Sequence, residues 1–236
     1  MLDFALALMM SLLEVFYRPG RLFAALPAKR GAWIAPFVCN VLLLLLTGVL
    51  VPHYIGRENL VRSQVQRDPR LTSEQKERAI AGADSFGRVI GGYVATVVLA
   101  VLLQLAIAGI LTIFGMMTHR PPSFATMLSV VAFSLVPCCV TFAALTAETL
   151  LTAPNPALLD PSKLVGTNLA FYVRPGTVSN GVYSVLHSLD LLSLAAIGLL
   201  SLGFSKVTGS GVLLGLAVVG GVWIFYTSVM TIFVLL

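Results

Sequence analysis

Charge is what this sequence has least of. Only 11% of its 236 residues are Asp, Glu, Lys or Arg, whereas soluble domains carry about 25%. A water-soluble fold of this size needs a polar exterior that so few charges cannot supply. Cysteine is nearly missing as well. Cys39, Cys138 and Cys139 all lie in apolar runs, away from the His and loop ligands that a zinc site or a disulfide framework would place beside them. Adjacent Cys138 and Cys139 cannot easily chelate one metal, and all three read as small buried apolar residues. Catalytic signatures are missing too: there is no His-Glu-x-x-His, no Gly-x-Ser-x-Gly and no Walker loop. No enzyme activity, cofactor or metal is therefore expected. The N-terminus lacks a basic n-region, its first charge being Asp3, so it is not read as a cleaved signal.

What is present is apolar. The hydrophobic fraction is 58% and the mean hydropathy is +0.95. A bilayer accepts an apolar exterior, so the expected fold class is an all-α membrane protein. A membrane-spanning helix needs roughly 20 mainly apolar residues. Five segments meet that length: Trp33 to Tyr54, Val89 to Phe114, Phe124 to Leu151, Val182 to Phe204 and Gly211 to Leu236. The expected architecture is a five-span helix bundle over 33–236. It is preceded over 1–32 by an in-plane amphipathic helix, Met1 to Tyr17, and a basic linker. The stretch is short and stops at Arg18-Pro19-Gly20, which fits an in-plane helix better than a sixth span, the competing reading.

The extramembrane segments carry most of the charge. The formal net charge is +5, and the basic residues form no dense stripe. Anionic lipid headgroups, not nucleic acid, are the expected partner. The linker residues Arg18, Arg21, Lys29 and Arg30 are the leading candidates for lipid contact. In the large loop from Ile55 to Arg88, Asp68-Pro69 marks a turn. There too, Thr72-Ser-Glu-Gln75 has capping-box spacing, which predicts a short solvated helix to about Ala81. The Pro-, Asn- and Gly-rich loop from Thr152 to Gly181 has an amphipathic middle, Leu164 to Val173, suited to the membrane surface. Placing the N-terminus inside leaves six Lys/Arg inside and nine outside, so a bare count opposes that orientation.

Polar groups in a bilayer core are costly and mark candidate sites. Asn40, Gln104, Glu148, His187 and Asp190 are those candidates. His187 and Asp190 are three apart and would share one face of the fourth span. Together with Glu148 they could form a proton relay or ion site. The plainer reading makes Asp190 a helix-packing anchor, since interhelical polar contacts average about 0.6 kcal/mol. Pro36 and Pro137 fall inside spans and would kink them. Small-residue spacing at Gly87/Gly91, Gly211/Gly215 and Ala217/Gly221 would let helices approach closely. Such contacts would form within the chain or, in a homo-oligomer, between chains.

Several segments together resemble the Yip family, named for Ypt/Rab-interacting proteins, in its bacterial form. Val15-Phe-Tyr-Arg-Pro19, Phe23 and Trp33 followed by Pro36 match its opening pattern. Ser123-Phe, running to Ser-Leu-Val-Pro137, is similar to its third span. Leu186-His-Ser-Leu-Asp190-Leu-Leu, then Leu199-Leu-Ser-Leu-Gly203-Phe, resembles its fourth. The chain departs from the family at Leu192 and Leu194 to Ala196, where members often place Phe and Trp. The resemblance implies a five-span bundle in a bacterial inner membrane. Its N-terminus would be cytoplasmic and its C-terminus on the opposite side. It also implies a non-enzymatic scaffold or accessory role beside another membrane protein, such as a MacB-type ABC exporter. Eukaryotic relatives are associated with Rab-type GTPases through a long N-terminal region that this sequence does not show. The competing expectation is a small transporter or channel built on Glu148, His187 and Asp190.

Overall fold

The computed structural model describes residues 11–29, 31–65, 71–152, 167, 169–173, 177–179, 182–183, 185–186 and 189–235, without the side chains at 63, 64, 148, 149, 152 and 229–235. Among these residues the chain is helical, with no strand. Four helices are long and apolar enough to cross a membrane: Ile34–Ile55, Phe86–Met116, Phe124–Ala147 and Leu191–Thr208. The protein is membrane-embedded. In chain order we number the helices α1 (residues 11–17), α2 (Pro19–Ala25), α3 (Ile34–Ile55), α4 (Arg57–Val65), α5 (Ser73–Ala81), α6 (Phe86–Met116), α7 (Phe124–Ser134), α8 (Val136–Thr152), α9 (Leu191–Thr208) and α10 (Val212–Leu235).

The chain divides into two compact units. Unit 1 holds Met1–Asn40, Leu102–Val140 and Gly166–Leu236. Unit 2 holds Val41–Val101 and Thr141–Val165.

Unit 1 is organised around α7 and α9. Every residue of α7 from Met127 to Ser134 is buried. A helix apolar on all sides can satisfy itself only by being surrounded. Val130, Val131, Leu111, Phe204 and Met127 form its centre. The segment expected to be a basic linker joins that centre. Pro19 opens α2 at its first turn, where a missing N–H costs nothing. α2 then packs on α9, and the 3-10 turn Leu26–Ala28 packs on α7. Leu22, Phe23 and Leu26 are fully enclosed. Phe23 finds room because α9 has Gly203 opposite it. A Cβ there would stand 2.5 Å from Val130 Cγ1 and 3.1 Å from Phe23 Cδ1. The apolar spacing of 22, 23 and 26 is helical, and the flanking basic residues Arg21 and Lys29 are left on the outside.

Two further close approaches shape the unit. On α10, a Cβ at Gly215 would collide with the Ser201 carbonyl oxygen of α9 and lie 2.6 Å from Ser205 Oγ. This glycine therefore acts in helix packing as its spacing suggested. The turn between the two helices uses Gly209 in the left-handed region (φ 69°), a conformation that costs L side chains.

The third span is broken. α7 ends at Ser134, Leu135 caps it, and α8 resumes at Val136. Pro137 has no N–H for the Phe133 carbonyl and its ring crowds it. The chain answers with a tighter turn, Cys138 N–H donating to Leu135 O at 2.9 Å. The kink expected at Pro137 is present. None is seen at Pro36, which falls in the first turn of α3, where no intrahelical donor is lost. The interior proline of α3 is instead Pro52.

Unit 2 is held by less. Its buried apolar pair is Val51 and Ile55, backed by Leu60 and Leu145. Thr47 Oγ1 adds a polar link to α8, bonding to Phe142 O at 3.2 Å and to Thr146 Oγ1 at 3.0 Å. The loop helix α5 starts at the expected capping box. Gln75 N–H donates to Thr72 Oγ1 at 3.3 Å, and Thr72 N–H to Gln75 Oε1 at 2.9 Å. Helix α4 was not expected in this loop. It is carried by Glu58–Arg62 pairing at i,i+4 and by packing on α5. The Asp68-Pro69 turn lies outside the described residues, as do residues 164–166 and 168 of the Leu164 to Val173 segment, whose Leu169–Tyr172 forms a 3-10 turn.

Candidate functional site

The fourth long apolar helix begins at Leu191, nine residues after the expected start at Val182, although Val182, Tyr183, Val185 and Leu186 are themselves helical. Asp190 is its N-cap, with extended backbone (φ −102°, ψ 134°). Its carboxylate accepts from Ser193 N–H at 2.9 Å and Ser193 Oγ at 3.2 Å. The backbone on either side of it pairs with a distant segment: Leu189 O accepts from Leu169 N–H at 3.3 Å, and Leu191 N–H donates to Thr167 O at 2.9 Å. Asp190 is therefore half-buried at a helix end, not on a mid-span face. An Asp that caps its own backbone favours starting a helix over continuing one. His187, Arg30 and the Glu148 side chain lie outside the described residues, so of the relay expected from Glu148, His187 and Asp190 the structure describes Asp190.

The polar centre that unit 1 does assemble lies at the break in the third span. Asn40 on α3 is buried there. Its Nδ2 donates to Ala132 O at 3.0 Å, and its Oδ1 accepts from Cys139 Sγ at 2.6 Å. One amide thus grips the chain on both sides of Leu135. It satisfies a carbonyl on the α7 side of the break and orients a thiol on the α8 side. Nearby in kind are two buried oxygens that have no partner among the described residues, Gln104 Oε1 and Ser134 Oγ. Gln104 is 4% exposed and Ser134 1%. The tight α6–α7 connection sets Gly115 against Pro122, where a Cβ would lie 2.8 Å from the ring. Asn40 and Gln104 were candidates from sequence; Ser134 and Cys139 were not. A Ser one turn before a proline in an apolar helix was the available signal.

Cations collect at one end of unit 1. Arg18 and Arg21 project from around α2, and Lys29 follows its 3-10 turn. Lys206 lies in the last turn of α9, its Cε 3.8 Å from where a Cβ on Gly20 would stand. Arg120 leans on the α9–α10 turn, its Cδ 3.1 Å from the corresponding point on Gly209. All five are exposed, and none forms an ion pair among the described residues. Arg120 and Lys206 join the linker residues only through the fold. Between α6 and α10 of the same unit runs an open apolar groove of about 450 Å³, lined by Ile110, Phe114, Ala217, Val218, Gly221, Val222 and Phe225.

The glycine faces divide. Gly215 is in use. Beside Gly87, Gly91, Gly211 and Gly221, nothing among the described residues stands within 4 Å of an added Cβ. The intramolecular packing expected at these positions is absent there. No group of three or more metal-ligating side chains occurs among the described residues.

No protein-family model, curated protein or solved structure matches the chain.

Proposed function

We propose that this protein is a non-enzymatic membrane scaffold or accessory subunit, of the kind its resemblance to bacterial Yip proteins implies. The observation that carries this reading is the open glycine face of α6. Gly87 and Gly91 are one turn apart on a helix 31 residues long, and neither meets a neighbour among the described residues. Around them Val94, Val98 and Leu99 are exposed. Small residues at this spacing allow a second helix to come within backbone contact. A partner helix from another membrane protein, such as an exporter subunit, is the occupant that fits. In this reading α10, at 24 residues, is the fifth span. The N-terminus is cytoplasmic in the inner membrane, the C-terminus on the opposite side. The five unpaired cations gathered at the end of unit 1 that holds α2 support that orientation.

The test is affinity purification of the tagged protein from native membranes in mild detergent, followed by mass spectrometry. A membrane protein should co-purify stoichiometrically, and Gly91→Leu should remove it without altering the yield of folded protein. Equal recovery of that partner with Gly91→Leu would defeat the α6 interface. Recovery of the chain alone would defeat the accessory role.

One set of observations favours a second reading, a small transporter or channel. Broken helices and unpaired oxygens in a bilayer core build ion sites in transporters. Here those features are the interruption at Leu135, Gln104 and Ser134. This reading expects flux in proteoliposomes that Gln104→Leu abolishes. An unchanged flux in that variant, or none in the parent, removes it.

A further inference from the structure

Unit 1 places an apolar groove directly below its unpaired cations, and we infer that the two form one binding site for an anionic phospholipid. The groove is bounded by α6 and α10, and both walls start at the cationic end. Phe114 is six residues before Arg120, and α10 starts at Val212, just past the Gly209 turn against which Arg120 rests. From Val212 to Ala217, the first groove residue of α10, is about 7.5 Å along the helix, and the groove then follows α10 for about 12 Å more to Phe225. A glycerophospholipid has this layout, with a charged phosphate, a short glycerol step and then an apolar chain. Arg120 and Lys206 would hold the phosphate, one as a planar fork and the other as a point charge. The acyl chain would lie over Gly221, between Phe114 and Phe225. Gly221 has open space where a side chain would stand, so the groove floor is bare helix backbone.

The occupant follows from charge as well as shape. A zwitterionic lipid would fill the groove equally well but would leave the cations unmatched. Acidic neighbours are few. Glu14 and Asp190 are the acids of unit 1 among the described residues. Asp190 caps the opposite end of α9, and no ion pair to Glu14 occurs. A partner helix in the groove would gain nothing from Arg120 or Lys206. The packing of α2 contributes rigidity, because Phe23 is fixed against Gly203 and α2 therefore holds Arg18 and Arg21 beside Lys206. This site is separate from the α6 glycine face and does not depend on the scaffold reading.

The experiment is native mass spectrometry of the full-length protein released from nanodiscs containing phosphatidylglycerol and phosphatidylcholine in equal amounts. The parent protein should retain phosphatidylglycerol in preference. The double variant Arg120→Gln/Lys206→Gln should bind it about thirtyfold more weakly, at the typical contribution of each surface cation. Gly221→Phe, which fills open space, should displace the lipid while leaving the thermal unfolding of the protein unchanged. Equal retention of the two lipids by the parent overturns the proposal. So does undiminished phosphatidylglycerol binding by Gly221→Phe, which would mean that headgroup attraction alone is at work. A shift of the parent from dimer to monomer on Gly221→Phe, with no lipid lost, would give the groove to a second copy of the chain and overturn it too.

Discussion

Unit 1 encloses Phe23, Leu111, Met127 and Phe204 at 1% exposure or less, and leaves its cations outside and unpaired. Unit 2 buries little beyond Val51 and Ile55, leaves Val94, Val98 and Leu99 of α6 facing outward, and pairs Arg62 with Glu58 and Arg78 with Glu74. One unit is stabilised by packing, the other by membrane, caps and local pairs. The same chain thus separates a part that sets structure from a part that presents surface. The open glycine face of α6 lies in unit 2, and the exposed cations around α2 lie in unit 1.

The sharpest way to break this comparison is to truncate one apolar side chain in each unit. Phe23→Ala should cost about 3–5 kcal/mol, as large aromatic deletions in packed cores do. Leu99→Ala, at a position 68% exposed, should stay within about 0.5 kcal/mol. Thermal unfolding in a single detergent measures both. If Leu99→Ala destabilises as much as Phe23→Ala, unit 2 has a core that its packing does not reveal.

Polar links give the next largest effect. Asn40→Leu strands the Ala132 carbonyl and the Cys139 thiol at the break in α7–α8, and should cost about 1–2 kcal/mol. In unit 2, Thr47→Val keeps shape and loses the Thr146 and Phe142 bonds for about 0.6 kcal/mol. Equal losses would place the break and the Thr pair on the same footing. At the head of α9, Asp190→Ala should cost about 1 kcal/mol and speed hydrogen exchange at Ser193. Asp190→Asn retains the cap and should shift neither by more than a few tenths of a kcal/mol. A large effect of Asp190→Asn alone would show that charge, not capping, is what the position supplies.

Where sequence reading succeeds and where it fails follows the same division. The long apolar helices and the Thr72–Gln75 capping box depend on neighbours along the chain, so they were legible, as was the kink at Pro137. The burial of α2 was not. Arg18, Arg21 and Lys29 announce a solvated linker, and only the presence of Gly203 on a distant helix gives Phe23 a place to go. The interruption ahead of α9 was missed because hydropathy continues through Val182 to Leu189, whereas Asp190 takes an extended backbone and caps a new helix. Half of the candidate lipid site was visible as basic residues. Its other half, Arg120, Lys206 and the α6–α10 groove, comes together through contacts between residues far apart in sequence. Glycine spacing was readable, but whether a glycine meets a neighbour, as Gly215 does and Gly91 does not, is decided by packing.

The smallest effect belongs to the surface pairs of unit 2, and it tests the electrostatic side of the comparison. Arg62–Glu58 (2.6 Å) and Arg78–Glu74 (2.5 Å) are i,i+4 pairs whose side chains are at least 49% exposed. Breaking either with Glu58→Gln or Glu74→Gln should lower stability by about 0.3–0.5 kcal/mol at low salt. Near 1 M salt, where the Debye length is about 3 Å, the loss should largely vanish. Arg18→Gln and Arg21→Gln in unit 1 have no acidic partner to lose, so in neutral detergent they should leave stability unchanged at every salt concentration. Anionic lipid should reverse the ranking. The unit 1 variants would then lose the stabilisation that the lipid confers, while the unit 2 variants behave as in detergent. If both sets respond alike to lipid, the cations of unit 1 are no more available than those of unit 2, and the electrostatic distinction between the units fails.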